Sequence, residues 1–431
     1  MSASPTFREA LRFWLRLGFI SFGGPAGQIA IMQTELVERR KWIGPERFLH
    51  ALNFCMLLPG PEATQLAIYC GWLLHRTRGG IAAGVLFVLP SAVILWGLSL
   101  AYVTWGQLPW LAAVFHGLKP AVVALVAAAV LRLGRKALRH RTGWVLAALA
   151  FGLIYFWHLP FPLIVFGAAA VGMAGGRFWP ESFGVAPAAL PPPEDGPPGG
   201  ASRREPLRSP WIRTGKIIGI CGALWAAPIL VAGWWQGWHG TLAQEGLFFS
   251  QAAVVTFGGA YAVLPFVAQQ AVDSYHWLAG PQMLDGLGLA ETTPGPLIMV
   301  LQFVGFLGAW NHPGGLPPLV AATLGAAITT WSTFVPCFLW IFLGAPWIER
   351  LRRLRPLNAA LGAVTAAVVG VVLSLAVWFA GQTLFPVAGS VDWFAAIVAL
   401  AAFVALHRFR AGLIPVIAAS GLLGLAAGWI G

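Results

Sequence analysis

One block of this chain occurs twice, and the breaks inside it limit what the chain can fold into. Phe22-Gly23-Gly24-Pro25, Trp42 and Pro59-Gly60-Pro61 mark the first copy. Phe257-Gly258-Gly259, Trp277 and Pro294-Gly295-Pro296 mark the second, each 235 positions later without a gap (257 − 22, 277 − 42, 294 − 59). Leu49 and Leu52 recur as Leu284 and Leu287, while Glu35 is matched by Gln270 and Glu38 by Asp273. Spacing held over this length reads as an internal duplication, and outside the block the halves match only loosely.

Gly-Gly-Pro and Pro-Gly-Pro both interrupt helices, because proline lacks the N–H and glycine favours other dihedrals. Proline also suits the first turn of a new helix. The block therefore predicts helix, break, helix, loop, helix, break, helix, with pieces at 8–21, 26–40, 46–58 and 62–75 in the first copy. Each piece is about 15 residues, short of the ~20 that a spanning helix needs. Two re-entrant hairpins per copy follow, with tips inside the bilayer, where irregular backbone is tolerated only against protein or a wet cavity. An ordinary proline-kinked spanning helix is the alternative.

Composition supplies the solvent. Hydrophobic residues make up 58% of the chain and charged ones 10%, with 22 Trp and 28 Phe, which predicts a polytopic membrane protein. The net charge of +12 sits in short loops rather than on one long face, so it does not point to nucleic acid. Cys55, Cys70, Cys221 and Cys337 are scattered through apolar segments without metal-ligand spacing, and read as buried thiols. Arg8, Glu9, Arg12 and Arg16 interrupt the first apolar run, so no removable signal peptide is expected.

Further spans are predicted at 80–104, 109–132, 143–157, 160–175, 214–238, 316–345, 357–381, 391–406 and 411–430, with the second hairpin pair at 242–310. The organisation reads as a first repeat over 1–176, a Pro/Gly-rich linker over 177–212 and a second repeat over 213–431. Arg39, Arg40, Lys41, Arg47, Arg76 and Arg78 cluster at the open ends of the first hairpin pair, whereas no Lys or Arg lies between Lys216 and Arg350. By the positive-inside rule the N-terminus and the linker are cytoplasmic and the C-terminus is outside. The helix at 214–238 has no partner in the first half and inverts the second copy. Inverted repeats whose broken helices meet near the midplane are a secondary-transporter architecture.

Each break is followed by a helix N-terminus, whose free N–H groups and dipole suit a phosphate- or sulfate-shaped anion. The candidate site comprises Ser21, Phe22, Gly23, Gly24, Gln28, Asn53, Pro59, Gly60, Pro61, Thr64 and Gln65 from the first copy. Thr256, Phe257, Gly258, Gly259, Thr292, Thr293, Pro294, Gly295 and Pro296 come from the second. Helix capping and packing are the bland reading of the hydroxyl residues. Lys119 lies inside an apolar span and is either a substrate-pairing cation or a snorkelling anchor. Glu291, Glu62, His50 and Asp285 are candidates for proton coupling, with His50 and Asp285 at equivalent positions of the two copies. Arg12 and Glu35 are placed to pair across the first tip.

Phe22-Gly-Gly-Pro, Trp42 and Leu58-Pro-Gly-Pro-Glu-Ala-Thr-Gln-Leu-Ala-Ile-Tyr69, followed by Phe257-Gly-Gly-Ala-Tyr261 and Thr292-Thr-Pro-Gly-Pro296, resemble the signatures of the chromate ion transporter family. The resemblance covers essentially the whole chain in its long two-domain form, with one departure, Ala260 in place of Pro25. It implies a bacterial inner-membrane exporter of chromate, with sulfate as a second candidate substrate, the lipid bilayer as its surroundings and a homodimer left open. No cofactor, metal or nucleic acid is implied. The expectation is an all-α polytopic membrane protein of two inverted-topology repeats, each with two re-entrant or broken helical hairpins plus spanning helices. It would work by alternating access on proton antiport or anion exchange. An anion channel and a membrane-embedded lipid-phosphate enzyme are the competing readings, the second lacking any HExxH or nucleophile motif.

Overall fold

A computed structural model describes residues 5–179, 210–257, 259–344, 355–386 and 390–430, so Gly258 and most of the 177–212 linker lie outside the described residues. What is described is helical throughout, and six of its helices are long and apolar enough to cross a membrane. This is a multi-pass membrane protein.

The first copy opens with α1 (Phe7–Ile20), where Thr6 and Glu9 form a reciprocal capping box. The chain then turns through Gly23 (φ 88°) and Gly24 (φ 68°), left-handed dihedrals that a side chain resists, into α2 (Gly24–Gln33) with Pro25 in its first turn. A π-helical turn (Thr34–Arg39) and α3 (Pro45–Cys55) lead to the second break at Gly60 (φ 118°). Beyond it, α4 (Glu62–Trp105) is two arms joined at His75 and Arg76, whose dihedrals leave the helical region. The short pieces and breaks read from the glycine and proline pattern are therefore present.

Four helices follow: α5 (Pro109–Ala137), α6 (Arg141–Tyr155), α7 (Phe161–Phe178) and α8 (Pro210–Gln236). Helix thus enters the 177–212 linker from both sides. The second copy contains α9 (Thr241–Val255), α10 (Ala260–Gln269), a π-helical turn (Gln270–Ser274), α11 (Gly280–Thr292), a 3-10 turn (Leu297–Met299) and α12 (Val300–Asn311). The chain ends in α13 (Pro318–Gly344), α14 (Arg355–Leu384), α15 (Trp393–His407) and α16 (Leu413–Ile430).

Backbone and side chains both repeat at the 235-residue offset. Each copy has a π-helical turn at the same place, followed by a non-glycine residue of positive φ, Lys41 (54°) and His276 (53°). The N–H groups of Trp42 and Trp277 each donate to the equivalent carbonyl, Leu36 or Ala271, at 2.8 Å. Phe13 packs edge-on to Trp42 at 5.5 Å between ring centroids, and Phe248 to Trp277 at 5.7 Å. Over Trp42 lies the Arg40 guanidinium, 4.9 Å away, whereas Trp277 is covered by its counterpart Tyr275, stacked at 4.5 Å. The two copies keep one packing and differ in charge. Cation–π contact and aromatic stacking fill the same space.

Glu35 pairs with Arg39 (2.8 Å) and Arg40 (3.3 Å), not with Arg12 across the tip. An arginine four residues on in a helix is nearer than one on the other arm of a hairpin. The apolar core runs through both copies and the inner faces of α4, α5, α13 and α14. In contrast, α8 turns much of its surface outward, with Trp234 88% exposed, as expected of a helix facing lipid at its end.

Candidate functional site

The two kinds of break cross each other. Gly60 in the first copy donates its N–H to the carbonyl of Thr256 in the second, at 2.7 Å. Gly295 in the second donates to the carbonyl of Ser21 in the first, also at 2.7 Å. Ser21 and Thr256 are equivalent positions, as are Gly60 and Gly295, so the exchange is reciprocal. Its cause is elementary. A helix end leaves carbonyls without partners, a break leaves N–H groups without partners, and each set finds the other where the tips meet. The N–H groups of Gly60 and Gly295, read from the sequence as open donors to an anion, are therefore engaged by protein.

Polar side chains surround this crossing. At Gly295, Gln28 donates from Nε2 to the glycine carbonyl, and Ser91 of α4 lies where a β-carbon would stand, 2.4 Å from Ser91 Cβ. At Gly60, Gln65 donates to the Pro59 carbonyl at 2.6 Å, and Pro61 leads into α4. Ser21, Thr64 and Ser91 are buried with hydroxyls that have no hydrogen-bond partner, and Gln28 and Gln65 each leave Oε1 without one. Buried hydroxyls ordinarily find partners, so three orphans around one crossing mark a place suited to a polar guest. Thr256, Thr292 and Thr293 behave differently. Their hydroxyls donate back to Ala252, Leu289 and Ala290 of their own helices, which is the capping reading.

The remaining candidates separate by place. Phe22 and Phe257 close matching turns through their N–H groups, onto Ile20 and Val255. Gly259 has φ 98°, and a β-carbon there would lie 3.8 Å from Glu62 Oε1, so Glu62 at the start of α4 faces the tip of the other copy. Pro294 and Pro296 bracket Gly295 in the second break. Asn53 is exposed and His50 half-buried on α3. Lys119 on α5 is not a free anchor. Its Nζ lies 3.6 Å from Oδ1 of Asp285 on α11, and Tyr102 donates to the other carboxylate oxygen at 3.0 Å. Glu291 is buried and accepts from the Tyr261 hydroxyl at 2.7 Å.

Two buried polar residues carry no motif. Ser91 sits in the apolar second arm of α4, next to Pro90. Glu245 lies in Ala-Gln-Glu-Gly near the start of α9, a stretch that reads as a polar helix end, yet it is completely buried.

An all-helical, multi-pass chain whose broken helices meet in its interior has the build of a membrane transporter. The comparisons agree. The chromate transporter family profile matches residues 8–173 and 243–425. The chromate transport protein of Cupriavidus metallidurans is 30% identical over 429 residues, covering 98% of this chain and 93% of that one. The chromate transport protein of Pseudomonas aeruginosa is 30% identical over 431 residues, covering 97% and 90%. A shorter uncharacterised transporter of Bacillus subtilis is 30% identical over 145 residues, 34% of this chain and 73% of its own length. No solved structure matches. The chain belongs to the chromate transporter family.

Proposed function

We propose that this protein exports chromate, a tetrahedral divalent oxyanion, across the bacterial inner membrane by alternating access, with sulfate competing for the same path. The observation that carries the reading is the reciprocal pair of bonds at the break crossing, with the orphan hydroxyls of Ser21, Thr64 and Ser91 around it. Two equivalent contacts exchanged between two copies can break and re-form as one copy rocks against the other. Hydroxyls suit an oxyanion because they donate without carrying charge of their own, and bonds to charged groups are the stronger kind. Lys119 adds the cation, held by Asp285 until an anion competes for it. Glu291, bonded to Tyr261 one residue from Thr292, is placed to exchange a proton as that tip moves. The names of the full-length relatives support chromate, and the half-length relative supports a duplicated ancestor.

In this reading the repeats are 1–176 and 213–431, α8 inverts the second, and the N-terminus and linker are cytoplasmic with the C-terminus outside. Cysteines introduced near Gly280 and Asn311 are then expected to react with an impermeant reagent in intact cells. Those near Arg40 and Arg76 are expected to react only after permeabilisation. Labelling of both hairpin pairs from one side contradicts the inversion. Uptake of labelled chromate into everted vesicles tests the transport itself.

A further inference from the structure

Glu245 has no place in the transport path described above, yet it is an unusually demanding residue to bury. It is 0% exposed, and neither carboxyl oxygen has a hydrogen-bond partner. The carboxyl leans toward the backbone at Ala309, whose N–H a helix interior commits to its own ladder. The space around it is shaped for a carboxyl. A β-carbon at Gly308 of α12 would stand 2.8 Å from Oε1, and one at Gly325 of α13 would stand 2.7 Å from Oε2. Two glycines, one on each neighbouring helix, leave the volume that the acid fills. Its equivalent in the first copy is Ala10, so only the second copy carries the acid.

Among the described residues no ion pair includes it. The described residues of α12 and α13 include no charged side chain. On α8 the charged groups are Arg213 and Lys216, at the far end of that helix from its junction with α9. Cys221 on α8, Cys337 on α13 and Tyr261 on α10 are the remaining titratable groups of the packed elements, and Tyr261 is bonded to Glu291. A bare carboxylate in such a place is far costlier than a neutral carboxylic acid. The surface lies close by. Thr241, one turn or about 6 Å back along α9, donates to the carbonyl of His312 at 2.9 Å. Nε2 of that exposed histidine meets the carbonyl of His276 at 3.1 Å.

We propose that Glu245 is a proton-binding site of the carrier, separate from Glu291. It holds a proton while α12 and α13 are packed on α9, and releases it to water at the His276–His312 surface when they separate. The proposal rests on the carrier reading for its coupling, but not for the presence of the proton. The step is a simple ionisation: the carboxyl O–H bond breaks, water takes the proton and the carboxylate remains in the opened cleft.

Infrared spectra of purified wild type and Glu245→Gln test the proton directly. The wild type is expected to show a protonated-carboxyl C=O band that the variant loses, and identical spectra overturn the proposal. In proteoliposomes given labelled chromate, an imposed pH gradient is expected to accelerate wild-type uptake and to leave Glu245→Gln uptake unaccelerated. Equal acceleration of both, or of neither, overturns the coupling. Reaction of wild type with dicyclohexylcarbodiimide during turnover, read by mass spectrometry, needs no variant. An adduct on Glu245 is expected, and its absence overturns the proposal. Failure of the carrier reading looks different: the infrared band is present, but no chromate enters.

Discussion

Gly295→Leu is expected to abolish chromate transport in protein that still reaches the membrane, and Gly60→Leu to do the same. Both residues have left-handed dihedrals, φ 111° and 118°, where any side chain is strained. Both donate one of the two crossing hydrogen bonds, so a displaced tip breaks the contact between the copies. The smaller change to alanine separates the two positions. At Gly60 a β-carbon comes within 2.9 Å of Gln65 Nε2, the end of a flexible side chain that can swing away. At Gly295 it comes within 2.4 Å of Ser91 Cβ, which α4 holds rigidly. Overpacking of this kind costs about 1–3 kcal/mol when neighbours can adjust. Gly60→Ala is therefore expected to keep measurable transport, and Gly295→Ala to lose most of it. The motif alone does not distinguish the two glycines, because Ser91 is invisible from it. The check is chromate uptake normalised to the amount of inserted protein. Normal transport by Gly295→Leu would falsify the crossing as a working part.

The second large effect is at Lys119. If Lys119 binds substrate, Lys119→Ala is expected to lower transport roughly tenfold or more, since a lost bond to a charged group costs ~1.5–3 kcal/mol. The same change strands Asp285, which is 5% exposed and keeps only the Tyr102 hydroxyl. Part of any loss is then structural. Asp285→Asn separates the two causes, because it removes the competitor and leaves Lys119 in place. If Lys119 pairs with substrate, Asp285→Asn binds chromate at least as tightly as wild type. The double variant Lys119→Ala/Asp285→Asn regains stability but not transport. Lys119→Arg keeps charge with a different geometry and is only partly tolerated. Calorimetric titration with chromate reads the affinities, and thermal unfolding reads the stability. Should Lys119→Ala transport at the wild-type rate, Lys119 is a structural partner of Asp285 and leaves the site.

How much of this was legible in the sequence follows from how local each cause is. Helix breaks are legible because glycine and proline act on their own dihedrals, and the breaks at Gly23, Gly60, Gly259 and Gly295 all appear. The duplication is legible because it is a spacing, and the paired turns at Trp42 and Trp277 follow from it. Lys119 could be read two ways because its partner lies 166 residues away on another element (285 − 119). The bonds from Gly60 to Thr256 and from Gly295 to Ser21 depend on how the copies meet in space, which no local pattern encodes. Glu245 escapes notice for a related reason. A lone acid near a helix start is ordinary on a surface, and only packing by Gly308 and Gly325 makes it otherwise.

Uptake of labelled chromate into everted vesicles tests the central claim most directly, because export from the cell becomes accumulation inside the vesicle. The account predicts uptake that saturates, that sulfate reduces by competition, and that disappears with Gly295→Leu. Vesicles that accumulate no more chromate than those lacking the protein, or that fill without saturation and regardless of sulfate, would contradict it.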